Sequence, residues 1–171
     1  MILVDDSGWG SLLGGVMIGV YDTDTRKFKS KLIPVSFFQG KKFTNALYRD
    51  KALSVFIAMN PFNSHPQSAH CCRGTVLDRI WDYLQALGFK KKAERLEIGD
   101  PLQSLLEEKF AQHLVKCGVP RKSSGAHCLS FNEQLEWIKE DPKRVKYVKT
   151  GWPSWINKYS QLIPMKQGIK Y

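Results

Sequence analysis

The chain is predicted to be an α/β protein in which a mixed β-sheet carries helices on both faces. Two features of the sequence predict this class. Three apolar segments separated by short polar or glycine-rich turns open the chain, which is typical of an antiparallel meander. Helical and extended segments then alternate, which is typical of β-α-β units with parallel strands. With 171 residues, the chain has the length of one domain.

The three strands of the meander are predicted over 1–5, 15–21 and 28–38. The first strand is apolar until it meets a pair of aspartates, and a glycine-rich turn separates it from the second. The polar run DTDTRK at 22–27 forms the next turn. Pro34 lies within the third predicted strand and cannot donate a ladder hydrogen bond, so this strand is expected at an edge or at a bulge.

Four helices and two later strands follow from periodicity and from capping signals. The helices are predicted over 45–59, 73–87, 102–116 and 132–140, and the strands over 93–99 and 126–131. Thr44 is a suitable cap for the first helix. The second has the clearest apolar face of the chain, and Gly88 ends it.

The charge of the chain points to a polyanionic partner. The net charge is +10, and residues 142–171 contribute seven Lys and Arg side chains and no acid. Five aromatic side chains lie among these bases, a combination typical of nucleic-acid surfaces. The alternative is a basic C-terminal helix whose tryptophans pack on the core. We therefore expect one domain over 1–141 and a basic, aromatic-rich extension over 142–171.

Other classes of protein are disfavoured by composition. No apolar run approaches the ~20 residues that span a bilayer, and the N-terminus lacks the features of a secretion signal, so a cytoplasmic protein without membrane contact is expected. The four cysteines are then expected to be reduced thiols. They contain no C-x2-C pair, which disfavours structural zinc.

Adjacent carboxylates end the first strand, where burial of a charge is costly. In α/β sheets, ligands bind beyond the carboxyl ends of the strands. Asp5 and Asp6 lie at that end of the first strand, although neighbouring strand residues face opposite sides. The strand over 93–99 is expected beside the first strand, which would add Glu97 and Asp100 to the same edge. Asp100 precedes a proline, however, and capping of the next helix also explains it.

A cation would relieve the repulsion within such a carboxylate cluster. Glu133 and Glu136, at the start of the last helix, are candidates for a further ligand, although acids also favour helix N-termini in general. Mg²⁺ or Mn²⁺ suits oxygen ligands. Two such ions about 4 Å apart can hydrolyse a phosphodiester without a protein nucleophile. Asp5, Asp6, Glu97 and Asp100 are thus candidate metal ligands, and the two glutamates are further catalytic candidates.

Several stretches resemble the ribonuclease H-like nuclease superfamily. ILVDDSGWGSLLGGVMIGVY resembles the first hairpin of type-2 ribonuclease H, with an acidic pair followed by a glycine turn. QGKKF resembles the lysine-containing segment that precedes the first helix of that family, and ERLEIGD resembles the strand that brings the next acid in these nucleases and in Holliday-junction resolvases. Trp9 and Asp6 depart from the Arg and Glu of the type-2 enzymes, so the resemblance concerns the superfamily and not its substrate.

The resemblance implies a ribonuclease H-like fold and two-metal hydrolysis of a nucleic-acid backbone with Mg²⁺ or Mn²⁺. The alternative is a non-catalytic nucleic-acid-binding protein on the same scaffold. RNA, DNA, hybrid and junction substrates all stay open, and a resolvase would require a symmetric homodimer. Eight side chains are candidates for contacting the nucleic acid: Lys41, Lys42, Lys143, Arg144, Lys146, Lys149, Trp152 and Trp155.

Overall fold

A five-stranded mixed sheet forms the centre of the protein and confirms the predicted α/β class. The computed structural model describes residues 1–41, 43–61, 68–89, 93–122 and 128–163. The strands are β1 (Ile2–Ser7), β2 (Val16–Asp22), β3 (Lys27–Ile33), β4 (Ala69–Cys71) and β5 (Ala93–Arg95). Their order is β3-β2-β1-β4-β5, which makes β1 the central strand. The predicted antiparallel meander of β1, β2 and β3 is confirmed, and β4 and β5 run parallel to β1.

Four α-helices and several short helical turns complete the described structure. The α-helices are α1 (Asn45–Ala58), α2 (Asp78–Ala86), α3 (Leu102–Lys116) and α4 (Phe131–Glu140). The 3-10 helices cover Val35–Phe38, Thr75–Leu77, Pro142–Tyr147 and Ser160–Leu162, and Trp155–Tyr159 forms a π-helical turn. As predicted, the Thr44 side chain caps α1 by accepting a hydrogen bond from the Leu47 amide at 3.2 Å.

Two apolar clusters lie on opposite sides of the sheet. Ile2, Val4 and Ile18 pack with residues of α1 and α2, including Phe56 and Ile80, on one side. On the other side, α3 covers β1 and β2 with Leu102, Leu106 and Phe110, and α4 and the 142–163 segment add to this cluster. Gly19 in β2 allows the close approach of α3, because a Cβ there would lie 2.7 Å from Leu106 Cδ1.

The neighbour of the central strand differs from the prediction. The segment 93–99 was expected beside β1, but β4 pairs with β1 and β5 pairs only with β4 on the far side. The strand β4 has three residues and lies in a stretch that reads as a proline-containing loop, so it is too short to show a period. The strand β5 ends at Arg95, which is four residues earlier than predicted.

Two other predicted strands also need correction. The third strand ends at Ile33 instead of residue 38, because Pro34 cannot continue the ladder and a 3-10 helix follows at once. Of the strand predicted over 126–131, residues 126 and 127 lie outside the described residues. The remainder is not a strand, since Ser130 caps α4 and Phe131 is its first residue.

Candidate acidic site at the end of the central strand

The central strand directs its two aspartates to opposite faces of the sheet. Side chains alternate along a strand, so Asp5 shares a face with Leu3 of the α3-side cluster. Gly19 pairs with Asp5 across the β1–β2 ladder and lies under Leu106 of α3. Asp5 therefore faces α3, and Asp6 faces the side covered by α1 and α2.

The Asp5 carboxylate is nearly buried, with 7% of the residue exposed. Its Oδ1 accepts a hydrogen bond from the Asp6 amide at 2.8 Å, and the Cys72 thiol lies within hydrogen-bonding reach. Burial raises the pKa of Asp5 above its ordinary value. The two hydrogen bonds oppose this shift, and the charge of Glu107 adds to it. Asp5 is thus a buried carboxylate beside a second acid.

The Asp6 carboxylate lies against Gly74, just beyond β4. A Cβ at Gly74 would lie 2.5 Å from Asp6 Oδ1, so the glycine leaves the space that this carboxylate occupies. Burial and the neighbouring Asp5 charge raise the pKa of Asp6 to about 7, and Lys149 opposes the shift. Asp6 therefore gains or loses its proton near neutral pH. Acids with such perturbed pKa values cluster at functional sites.

Glu107 is the acid that the sequence analysis missed. It lies on α3, half-buried, where its Oε1 accepts a hydrogen bond from Gln103 Nε2 at 3.2 Å. Together with Ser7 and Gly8 it lines a cavity of about 280 Å³ at the end of β1. Glu107 immediately follows the buried Leu106, so its placement depends on how α3 packs on β1 and leaves no motif in the sequence.

Asp100 and Glu97 do not join Asp5 and Asp6 at the end of β1. Asp100 precedes α3 and accepts hydrogen bonds from the Ser104 amide at 3.2 Å and the Ser104 hydroxyl at 2.5 Å. These bonds lower the pKa of Asp100. Glu97 follows β5 and is exposed. The expectation that their strand would adjoin β1 is wrong, because β4 lies between the two strands.

Glu133 and Glu136 have structural partners on α4. Glu133 forms a capping box with Ser130 and an ion pair of 2.8 Å with Lys122. These partners lower the pKa of Glu133 to about 2. Glu136 pairs with Lys139 at 2.7 Å, one helical turn further on. Glu133 therefore has the role at the helix N-terminus that was its alternative, whereas Glu136 forms an ion pair further along α4.

The position beside Asp5 on the parallel neighbour is a cysteine. Val4 is in register with Cys71, so Cys72 follows at the level of Asp5, and its amide donates to the Val4 carbonyl at 2.9 Å. Burial and the Asp5 carboxylate raise the pKa of the Cys72 thiol to about 11, so it stays protonated. Within the described residues, no three His, Cys, Asp or Glu side chains are grouped to hold a metal ion.

Lys149 is buried inside the protein and is not available on its surface. None of the residue is exposed, and its ammonium group donates to the carbonyls of Gly8, Trp9 and Ser11 in the turn after β1, with the Ser11 bond at 2.8 Å. Its Nζ lies 4.7 Å from the centre of the Trp152 ring. Burial lowers the pKa of Lys149 to about 7, while the Asp6 charge opposes the shift.

The remaining basic and aromatic candidates have mixed environments. Lys41, Lys143 and Lys146 are exposed, and Lys42 lies outside the described residues. Arg144 is held by Glu140 at 2.8 Å and stacks on Trp137. We remove Lys149 and Trp155 from the candidate nucleic-acid surface, because both side chains are buried.

Trp152 contacts the turn that follows the acidic pair. Its ring is partly buried and lies 5.8 Å from that of Trp9, centre to centre. Gly14 and Lys149 add backbone hydrogen bonds between the same two segments, to the Tyr147 carbonyl at 2.9 Å and the Leu12 carbonyl at 3.0 Å. The 142–163 segment therefore supports the conformation of the turn beyond Asp6.

Comparison of the chain with protein-family models and with curated proteins found no match. Among the described residues, no helix is both long enough and apolar enough to cross a membrane.

Replacing Asp6 with asparagine is expected to stabilise the protein at neutral and higher pH. The folded-state pKa of Asp6 is raised to about 7, so the folded protein binds more protons than the unfolded chain between about pH 4 and pH 7. The free energy of unfolding of the wild type therefore falls as the pH rises through 7, because Asp6 becomes charged in a buried position. Asparagine carries no charge at any pH, so the variant does not lose this stability. We expect a melting temperature at least about 2 °C above wild type at pH 8.

The comparison is made by thermal unfolding of both proteins at pH 5 and pH 8 in EDTA. The advantage of the variant should shrink at pH 5, where Asp6 of the wild type keeps its proton. If the melting temperatures of variant and wild type differ equally at pH 5 and pH 8, or if the variant melts below wild type at pH 8, Asp6 is not a desolvated acid.

Proposed function

We propose that the protein is a divalent-metal-dependent nuclease with a ribonuclease H-like fold. One observation carries this proposal: Asp5 and Asp6, two carboxylates with raised pKa values, lie at the carboxyl end of the central strand of a mixed sheet. Ligands of α/β sheets bind at that edge, and acids with perturbed pKa values cluster at functional sites. The stretch that resembles type-2 ribonuclease H contains the same acidic pair.

The described carboxylates fit one divalent ion better than two. A preformed cage of four acids is not present among the described residues. Mg²⁺ is commonly held by one or two carboxylates, with water and substrate phosphates as its other ligands. Asp5 would be the principal ligand. Glu107 lies near it on the α3 side, whereas the Asp6 carboxylate lies on the opposite side of the sheet, against Gly74.

The bound ion would polarise a phosphoryl oxygen and lower the pKa of a water molecule. The protein itself provides the carboxylates and a fixed turn. Asp5 has a raised pKa and must be deprotonated before it can bind a cation, so cation binding should release protons wherever part of Asp5 is protonated. Lys149 holds the carbonyls of Gly8 and Ser11 inward, which fixes the turn beside the acids.

Cleavage is tested by incubating the purified protein with labelled single-stranded, duplex, hybrid and four-way substrates. We expect cleavage of at least one of them with Mg²⁺ or Mn²⁺ and none in EDTA. Because burial raises the pKa of Asp5, the rate should rise with pH as this carboxyl loses its proton. Absence of cleavage with both metals on every substrate would reject the proposal.

A non-catalytic nucleic-acid-binding protein is the second candidate. The protonated Cys72, which stands at the end of β4 in place of an acid, favours it. This candidate predicts binding of the labelled substrates without cleavage, and unchanged binding when Mg²⁺ is removed.

A further inference from the structure

We propose that a groove between segments 39–41 and 142–150 binds the phosphodiester backbone of a nucleic-acid strand. The groove has a volume of about 500 Å³. Gln39 and Gly40 form one wall, and Lys143, Lys146 and Thr150 form the other. The choice of nucleic acid as ligand rests on the proposed function, whereas the groove and its charge are independent of the acidic site.

The two walls are joined by hydrogen bonds between residues about 110 positions apart in the chain. Gln39 Nε2 donates to the carbonyls of Lys146 and Val148, both at 2.9 Å. The Gly40 amide donates to Thr150 Oγ1 at 3.1 Å, which fixes the loop across the groove. The groove is therefore formed before any ligand arrives, and binding does not have to order it.

The charge of the groove is positive. Lys143 and Lys146 line it and are exposed, Lys41 follows Gly40 directly, and none of the described residues that line the groove is an acid. The nearest acid in sequence is Asp141, whose Oδ1 accepts a hydrogen bond from the Lys143 amide at 3.0 Å. The Nζ of Lys146 lies 4.9 Å from the centre of the Tyr147 ring, so this exposed side chain would turn away from the ring when its ammonium group binds a phosphate in the groove.

The shape of the groove favours a backbone over a single small anion. Pro142 and Val145 also line the groove, and Gly40, which has φ +66° and open space at its Cβ position, adds no side chain. An open groove that combines apolar lining with exposed lysines suits a chain of phosphates and sugars. A pocket for one phosphate would instead enclose it with converging donors.

The same segment that walls the groove also reaches the acidic site. Beyond Lys146, the chain continues through Val148 to Lys149, whose ammonium group binds the turn after Asp6. A nucleic-acid strand bound by Lys143 and Lys146 would thus contact a segment of the protein that is hydrogen-bonded to the turn after Asp6. We infer that the groove contributes affinity and takes no part in the chemical step.

The test measures binding of a labelled oligonucleotide by fluorescence anisotropy, in EDTA, over a range of NaCl concentrations. For the double variant Lys143→Gln/Lys146→Gln we expect at least about tenfold weaker binding at 0.1 M salt. The slope of log K against log[NaCl] should fall by about 1.4–1.8, since each phosphate contact contributes about 0.7–0.9. The matched control is Lys27→Gln/Lys31→Gln, which removes two exposed lysines of the edge strand β3.

The control should keep the wild-type slope to within about 0.5. Equal losses in the two double variants would overturn the proposal, because binding would then depend on net charge alone. Unchanged binding in the groove variant would also overturn it, as would a groove that binds poly-glutamate but not the oligonucleotide. Since EDTA prevents metal-dependent cleavage, failure of the proposed nuclease activity leaves this result intact, and the reverse also holds.

Discussion

Asp5→Asn is expected to lower metal-dependent cleavage by at least about 100-fold. The carboxylate is the proposed principal ligand, and metal-based stabilisation of a transition state is worth several kcal/mol. Asparagine has nearly the same shape, so the apolar contacts of β1 with α3 should persist. Because the raised pKa of Asp5 shows that burial opposes its charge, the variant should fold at least as stably as wild type. Rates are measured on the substrate that wild type cleaves best.

The matched control for Asp5→Asn is Glu136→Gln. Glu136 was a candidate for the same acidic cluster, but its carboxylate pairs with Lys139 on the exposed face of α4. Its loss should change the rate less than about twofold, because this exposed carboxylate pairs with Lys139 and is not part of the proposed ion site. If Asp5→Asn cleaves at the wild-type rate, the cleavage site is elsewhere on the protein.

Lys149→Met is expected to destabilise the protein by about 3 kcal/mol. Methionine fills a similar volume but donates no hydrogen bond, so the carbonyls of Gly8, Trp9 and Ser11 lose a shared donor. Each buried acceptor left without a partner costs about 1–3 kcal/mol, although the Gly8 carbonyl keeps the Ser11 amide as a donor. Burial opposes the charge of Lys149, as its lowered pKa indicates, and this opposing contribution shrinks as the pH rises above 7. For a chain of this length the melting temperature should fall by about 6–12 °C.

Thermal unfolding of Lys149→Met at pH 9 gives this value, because the lowered pKa of Lys149 leaves the wild-type amine largely neutral there and reduces its charge penalty. Lys158→Met serves as the control, since Lys158 is exposed on the π-helical turn of the same segment. It should melt within about 2 °C of wild type. A Lys149→Met variant as stable as wild type would show that the ammonium group does not hold the turn.

Much of the sheet could be predicted because its strands carry local signals. The turn after β1 contains glycines, the turn after β2 is polar, and the first half of β1 and most of β2 are apolar. The strand β4 carries no such signal, since Ala69, His70 and Cys71 show no alternation that a three-residue segment could reveal. Because β4 was not predicted, the segment 93–99 was expected next to β1, one strand position too close. Glu97 and Asp100 were therefore expected beside Asp5.

The candidate site was predictable only in its local part. Asp5 and Asp6 could be recognised because two acids directly after an apolar strand are costly without a role. Glu107 could not be recognised, because its proximity to Asp5 results from the packing of α3 against Gly19. Lys149 belongs to a strongly basic segment, and composition does not distinguish a lysine that binds phosphate from one that binds buried carbonyls.

The most direct test of the central claim is a crystal structure with Mn²⁺ and a non-cleavable oligonucleotide. Anomalous scattering locates Mn²⁺ without assumptions about its ligands. We predict a peak at coordination distance, about 2.0–2.2 Å from a carboxylate oxygen of Asp5, with a phosphate oxygen of the oligonucleotide as a further ligand. The claim that Asp5 binds a divalent ion would be contradicted if the oligonucleotide is bound, no manganese lies at Asp5, and the Cys72 thiol is still hydrogen-bonded to the Asp5 carboxylate.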